Sequence, residues 1–456
     1  MKIDEILKMN GNDAVKILSV KNPLIPDWAT VLRKEYDTLE HPVFNRAEYI
    51  DKTKKDGSVE KVTRIGLGLQ KLAAKRVAQM CFGVPVKRIY QTYNEQDTQV
   101  ANIIERILTA NRINSVNMKR GRILFAGCEF ATVWLAEVQD NTLYGVDSPI
   151  KIRCRTYGQM NGDNVYPLWD EVGDLIAISF GYKKKQGDKD VDILETYTDH
   201  YFIIYQKNGN NWEEIYRKEH AVGKIPAVYC HRTSPAWEDC SNIVYETEWT
   251  LSLNGNYLKK NMKPLFAVFA DKLIKFGGEK NEKEESRTVV QFPAAAKADY
   301  ISWKQAVENL KFHILELRQQ FFGQLQLPDW SFDNMKTTPM SGESRKLMFI
   351  DSILKVIEEA GDLCEAMERE VNVIKQYVKI ILPGMVDVID RLGFECVITP
   401  YTITEEKDII NNLVTATGGK PIISQRRGIQ EFGWAKDPDA ELQQIQAENK
   451  GDNILD

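Results

Sequence analysis

The chain has 456 residues, 43% of them hydrophobic and 27% charged, a balance that fits roughly two to four compact globular units and excludes a fibrous or disordered protein. A formal net charge of −5, with both signs intermixed, excludes a general electrostatic attraction to nucleic acid or anionic membrane, so any such contact must be local. Seven cysteines without a CxxC pair point to reduced thiols in a cytoplasm-like compartment and against structural zinc.

In chain order, the start "MKIDEILKMNGNDAVKIL" lacks the apolar core of a signal peptide, and no run of about 18 apolar residues follows anywhere, which predicts an intracellular, soluble protein. The first sixty residues mix Pro, Asn and charges and predict short elements joined by a Gly-containing turn. "RIGLGLQKLAAKRVAQMCFG" places Ile65, Leu69, Leu72, Ala73, Val77, Met80 and Cys81 on one helical face, ended by "GVPV". A second helical region, "DTQVANIIERILTANRINSVNMKRGRILFAG", leads into strand-like "CEFATVWLAEV". From there to about residue 230, β-branched and aromatic runs between turn signals predict an antiparallel β-rich block, with Lys207-Asn208-Gly209-Asn210 as a hairpin turn.

After His231 the pattern returns to helix in "NIVYETEWTLSLNGNYLKKNMK", ending at Pro264. A small hairpin is expected next, with strands in "PLFAVFADKLIKF" and "SRTVVQF" joined by the charged "GGEKNEKEE". "KQAVENLKFHILELRQQFFGQLQL" then carries Val307, Leu310, Ile314, Leu317, Phe321 and Leu325 at spacings of three and four, a narrow stripe on a helix about 36 Å long. Beyond the polar "DNMKTTPMSGESRK", near-heptad apolar spacing runs from Leu347 through Ile350, Leu354, Ile357, Gly361, Cys364 and Met367 to Ile381. That predicts a helix of about 57 Å, longer than one globular domain ordinarily needs. Gly361 on its stripe signals either close helix approach or a bend. A strand, "GFECVITPY", and two or three short helices complete the chain, with "GDNILD" as a frayed end.

No catalytic constellation emerges. "GLGLQK" has Lys71 where a dinucleotide fingerprint needs its third glycine and is better read as a helix start. "GGKP" lacks the spacing of a phosphate loop and reads as a helix C-cap. The five histidines show no H-E-x-x-H pairing, and the adjacent Cys230 and His231 point to opposite faces of a strand. Acidic pairs such as Glu238-Asp239 sit in turn-like surroundings. The chain is therefore expected to be no enzyme, with no cofactor and no metal.

The helix closing in "CFGVPV", the stretch "LTANRINSVNMKRGRILFAGCEFATVWL", the transition "HAVGKIPAVYCHRTSPAWEDCSNIVYETEWTLSLNGN", and the late "MSGESRK" and "GGKPIISQRRGIQEFGWAKDPDAELQQIQAE" occur in one order. Together they resemble the portal proteins of tailed bacteriophages, siphovirus type, over about residues 28–447. The resemblance implies an α+β subunit with a β-rich wing (1–239), a two-helix stem (240–263 and 304–330) and a small β-hairpin clip (264–303). A channel loop (331–341), a long wall-crossing helix with a wing strand (342–402) and a helical crown (403–456) complete it. It further implies a homo-oligomeric ring, usually dodecameric, assembled in the host cytoplasm and resident at one capsid vertex of the virion. Double-stranded DNA, bound without sequence preference, would pass through it during packaging and ejection. Terminase, a head-completion or adaptor protein, and the major capsid and scaffolding proteins are the implied partners, with no membrane. The competing reading is a ring-forming capsid or adaptor protein that does not conduct DNA; a packaging ATPase or nuclease would need a phosphate loop or clustered metal carboxylates.

A conduit must touch DNA without gripping it, since each neutralised phosphate adds counterion-release affinity. The candidate channel residues are Asn334, Met335, Lys336, Thr337 and Thr338, with Lys336 supplying one positive charge per subunit; an ordinary solvated turn is the alternative. Lys259, Lys260, Lys263, Lys272 and Lys275 lie near the clip, as DNA or partner contacts or as solvated lysines. Trp237, Trp249 and Trp303 anchor packing either between subunits or within one.

Overall fold

In the computed structural model, the described residues are 3–53, 57–187, 189–261, 265–269, 297–301, 307–329, 349–401, 406–418, 421–433, 435 and 437–452. The β-rich block folds as two antiparallel sheets. One is a five-stranded meander in the order 211–219, 201–208, 189–197, 175–186, 164–169; the other places strand 129–141 between 227–231 and 148–157. Gly209, with φ of +61°, makes the tight turn between Tyr201–Asn208 and Asn211–Glu219, where the sequence predicts a hairpin.

Alternation decides what each sheet face buries. Ala131, Val133, Tyr157, Val165, Ile178, Phe180 and Tyr197 form the layer between the sheets, with the Tyr157 and Phe180 rings stacked at 4.0 Å. The opposite face of the meander offers Ala177, Leu194, Ile203 and Tyr205 to the helix Gly11–Leu18, whose Ala14, Val15 and Leu18 fill the contact. Asn10 caps that helix by accepting the Asp13 N–H at 2.9 Å.

The largest core joins the three-stranded sheet to helices Leu69–Phe82, Glu95–Ala110, Ile113–Gly127 and Ile350–Ile381. One correction to the sequence reading arises here. Ile65 lies outside the first of these helices, which begins after Gly68. The second helical region is helical as expected and resolves into two helices, broken at Arg112, whose φ of 52° is left-handed. The strand Lys87–Gln91, which follows "GVPV", pairs antiparallel with Gly393–Val397 and so fastens the chain's two distant parts. Buried beside this core, Arg120 forms a two-pronged ion pair with Glu370 at 2.5 and 3.1 Å, and Trp134 Nε1 donates to the same carboxylate at 2.8 Å.

Three further helices, Glu406–Thr417, Gln425–Phe432 and Pro438–Asp452, end the chain as the sequence predicts. Ser424 caps the second and Gly433, at φ of +79°, closes it.

Candidate functional site: the paired helices and their anchorage

The helix Ser241–Asn261 leaves the core next to Trp237, which is fully buried and donates its indole N–H to Glu35 at 2.7 Å. Trp237 is thus a core residue within one subunit; Trp249 is half-buried and packs on Tyr49 at 4.7 Å. Val244, Thr247, Glu248 and Ser252 form the helix's inward face. Three polar residues at four-residue spacing, Glu248, Ser252 and Asn256, each accept a backbone N–H from the extended segment 63–67. Leu67 donates to Glu248 at 2.6 Å, Ile65 to Ser252 Oγ at 2.9 Å and Thr63 to Asn256 Oδ1 at 2.7 Å. The match is geometric. Four helical residues advance about 6 Å and two extended residues about 6.6 Å, so every second N–H meets the next helical turn. Gly66 lies between two rungs of this ladder, and a Cβ there would come within 2.6 Å of Phe44 and Thr38, so the close approach requires glycine. This accounts for the first glycine of "GLGL" without a nucleotide, and the second stands at the N-cap of Leu69–Phe82.

The ladder starts at a buried histidine–carboxylate pair. His41 Nδ1 lies 2.7 Å from the carboxylate of Glu248 that also accepts from Leu67, and His41 Nε2 lies 2.8 Å from the Glu35 carbonyl oxygen. Burial pulls the His41 pKa down, but the hydrogen bond and negative charge of Glu248 outweigh it and the net shift is upward. The sequence gives no cue to this pair, whose members stand 207 positions apart.

The helix Val307–Gln324 packs back along the first, with Cys240 Sγ 3.8 Å from Gln324 at the base and His313 3.8 Å from Glu246 farther out. Phe321 and Leu325 are buried at the base, whereas Phe312 is 69% exposed and Leu258 of the first helix 51%. Beyond the outer ends, Leu265–Phe269 and Lys297–Ile301 form an antiparallel pair; "SRTVVQF" lies outside the described residues.

The long helix, Ile350–Ile381, is tied to the segment that follows the helix Val307–Gln324. Ser352 Oγ donates to the Gln326 carbonyl at 2.9 Å, and Lys355 Nζ to that of Leu325 at 2.9 Å. The two described segments that flank residues 330–348 are thereby held together. Arg232 joins Glu359 on the same helix at 3.1 Å. On the opposite side of its first turns, Ile350, Leu354 and Ile357 are 50–60% exposed, and nothing lies within 4 Å of a Cβ built on Gly361. Farther along, the exposed side turns polar, with Glu365 and Arg369 paired at 2.5 Å.

The family model described as phage portal protein, SPP1 Gp6-like, matches residues 29–454. The chain belongs to that family. Portal proteins of this kind are structural and non-enzymatic, in keeping with a sequence that offers no catalytic constellation. Among solved structures, the chain is similar to the neck of an empty gene transfer agent particle computed with C6 symmetry, at 9% identity and a TM-score of 0.42, covering 90% of this chain and 94% of that one. The neck of the native particle computed with C12 symmetry gives 10%, 0.41, 93% and 99%. No curated protein sequence matches the chain.

Of the portal subunit's predicted contact residues, Lys259 is exposed near the outer end of Ser241–Asn261, and Lys260 belongs to the same helix. Lys263, Lys272, Lys275, Trp303 and the loop residues Asn334, Met335, Lys336, Thr337 and Thr338 lie outside the described residues. Among the described residues, no group of three or more His, Cys, Asp or Glu is set to hold a metal ion, and no helix is long and apolar enough to cross a membrane.

Proposed function

We propose that this portal-family subunit assembles with copies of itself into a ring, dodecameric as is usual for the family, that forms the DNA channel at one capsid vertex. The family match over nearly the whole chain carries the reading. The exposed stripe Ile350, Leu354 and Ile357 supports it, because an apolar helix face left in water by one subunit gains by meeting another.

In this reading residues 1–239 are the wing, the paired helices are the stem, residues 264–303 are the clip and residues 403–456 are the crown. Terminase and later a head-completion or adaptor protein dock at the clip, and the major capsid and scaffolding proteins meet the outer wing. Subunits assemble in the host cytoplasm and enter the virion as a ring. Lys259, Lys260, Lys263, Lys272 and Lys275 give the clip end a positive charge for DNA or an acidic partner. The loop 331–341 faces the channel, where Asn334, Met335, Lys336, Thr337 and Thr338 touch the DNA backbone weakly and without reading its sequence. The tie between Leu325–Gln326 and Ser352–Lys355 supports this placement, since it keeps both flanks of the loop at one point of the wall.

Electron microscopy of the purified protein tests the reading: rings with a central hole are expected, and a uniform monomer overturns it. Lys336→Ala should leave rings intact and alter DNA packaging or retention; unchanged packaging and retention would remove Lys336 from the mechanism.

A further inference from the structure

The two sheets of the β-rich block have four edge strands, and three of them are blunted against further pairing. Strand 211–219 carries Glu213, Glu214, Arg217 and Lys218 and a register shift between Glu214 and Tyr216. Strand 164–169 contains Pro167. Strand 148–157 carries Lys151, Arg153 and Arg155, and its outward N–H groups are taken: Ile152 donates to the Tyr144 hydroxyl at 2.7 Å and Cys154 to Asn111 Oδ1 at 3.1 Å. The fourth, Ala227–His231, has no proline, lysine, arginine or carboxylate and pairs in unbroken register. Its pairing parity follows from the Trp134 N–H, which donates to the Pro226 carbonyl at 2.7 Å, and the Arg232 N–H, which donates to that of Cys128 at 2.8 Å. Residues 226, 228, 230 and 232 thus turn their backbone groups to the neighbouring strand, and the N–H and C=O groups of Ala227, Tyr229 and His231 point out of the sheet.

That edge opens on a trough. Clefts of about 580 and 450 Å³ lie along the strand and share Trp169, Tyr229 and Arg369 as lining, so they are two halves of one groove. One wall is the long helix from Glu358 to Val373, about 22 Å at 1.5 Å per residue, which is room for about six extended residues. The other wall is aromatic, with Tyr229 stacked on His231 at 5.4 Å and Trp169 edge-on to Tyr229 at 5.9 Å. Charge polarises the trough. Arg232 is paired with Glu359 and Arg369 with Glu365, which leaves Glu358 and Asp362 exposed at the His231 end with no ion-pair partner among the described residues. At the Ala227 end Asp199 and Lys224 offset each other, and Leu175, Ile176 and Val373 make the lining apolar.

We propose that Ala227–His231 is a docking edge for an extended, basic segment of a partner protein, which adds as a fourth strand to the three-stranded sheet. Its backbone pairs with the outward groups of Ala227, Tyr229 and His231, which supply affinity without regard to sequence. Selectivity comes from the side chains: lysines or arginines at one end of the segment meet Glu358 and Asp362, and apolar residues at the other end lie against Leu175, Ile176 and Val373. An acidic segment would set like charges against the same two carboxylates. The trough is built within one subunit, so docking stands or falls independently of ring formation.

Two labelled synthetic peptides of about eight residues test it against the full-length protein by fluorescence anisotropy. Both alternate valine and threonine, with a pair of lysines at the amino end in one and at the carboxyl end in the other. One of the two orders is expected to bind, and to bind about tenfold or more weakly once glutamates replace its lysines. Binding should slow amide exchange at Ala227, Tyr229 and His231, the N–H groups that the sheet leaves open. Glu358→Gln combined with Asp362→Asn should weaken the lysine peptide by a similar factor at an unchanged melting temperature, since both carboxylates are exposed. Failure of both orders to bind, equal affinity for lysine and glutamate peptides, or binding without slowed exchange at these amides overturns the proposal. Slow exchange there in the free protein also overturns it, because a second copy or the chain's own residues then occupy the edge.

Discussion

Arg120 and Glu370 are 250 positions apart, yet they meet as a buried ion pair whose carboxylate also takes the Trp134 indole. Such a pair adds little net stability over an apolar substitute, but removing one partner strands the other charge in a dry core. Arg120→Met should therefore cost about 3–5 kcal/mol in urea unfolding, and adding Glu370→Leu should recover a large part of it; equal stability of both variants would mean that Glu370 does not depend on Arg120. His41 makes a pH-dependent case. Its pKa is raised in the folded state over the ordinary value of 6.5 because the Glu248 bond and charge outweigh burial. Stability from the pair is fully present below 6.5 and is lost as pH rises through the folded pKa. Glu248, the Glu35 carbonyl, Lys71 and Tyr245 are the charged and polar groups around the ring, and with acceptors at both ring nitrogens the doubly protonated imidazole is the form that satisfies both. The melting temperature should fall as pH climbs past that pKa, and His41→Gln should flatten this part of the profile; identical profiles for the two proteins would exclude His41 as its source.

The 63–67 ladder shows how an irregular segment satisfies its backbone without a sheet. Every second N–H, at Thr63, Ile65 and Leu67, meets the helix face, and the helix side chains take the place of strand carbonyls. Ser252→Ala should cost about 1 kcal/mol and speed amide exchange at Ile65; unchanged exchange there would show that this bond does not hold the segment. In the sequence, Glu248, Ser252 and Asn256 read only as polar interruptions of an apolar helix, because their partners are set by tertiary contact. Other elements were legible: the change from three-and-four spacing to alternation marks the β-rich block, and Asn-Gly marks its hairpin. The break at Arg112 was not, since a left-handed arginine carries no compositional sign. The long stripe was legible as a stripe but not in its burial. A seven-residue repeat drifts roughly 20° per heptad on a straight helix, hence on the order of 90° over this one. Its apolar line accordingly starts in solvent at Ile350, Leu354 and Ile357 and ends in the core at Ile374, Val378 and Ile381.

That drift divides the molecule's longest helix into a part committed to its own subunit and a part left for a neighbour. Its last turns bury Ile374, Tyr377 and Val378 against the strands and helices of the main core. Its first turns present three large aliphatic side chains and an open glycine beside the base of the helix Val307–Gln324. If the portal ring closes over this face, each subunit contributes the same stripe, and a change there is repeated at every junction. Leu354→Asp combined with Ile357→Asp places two carboxylates where one subunit alone is already wet, so the folded subunit should keep its circular dichroism and melting behaviour. Within a closed ring the same carboxylates would be buried without partners, a cost of several kcal/mol at each junction. Sedimentation should then show folded single subunits where the unaltered protein gives rings. Arg369→Ala, on the polar continuation of that exposed side, should leave rings intact, because its pairing with Glu365 is local to the helix. Rings formed normally by the double aspartate variant would place the subunit contact on another face, with the exposed Phe312 and Leu258 of the paired helices next in line.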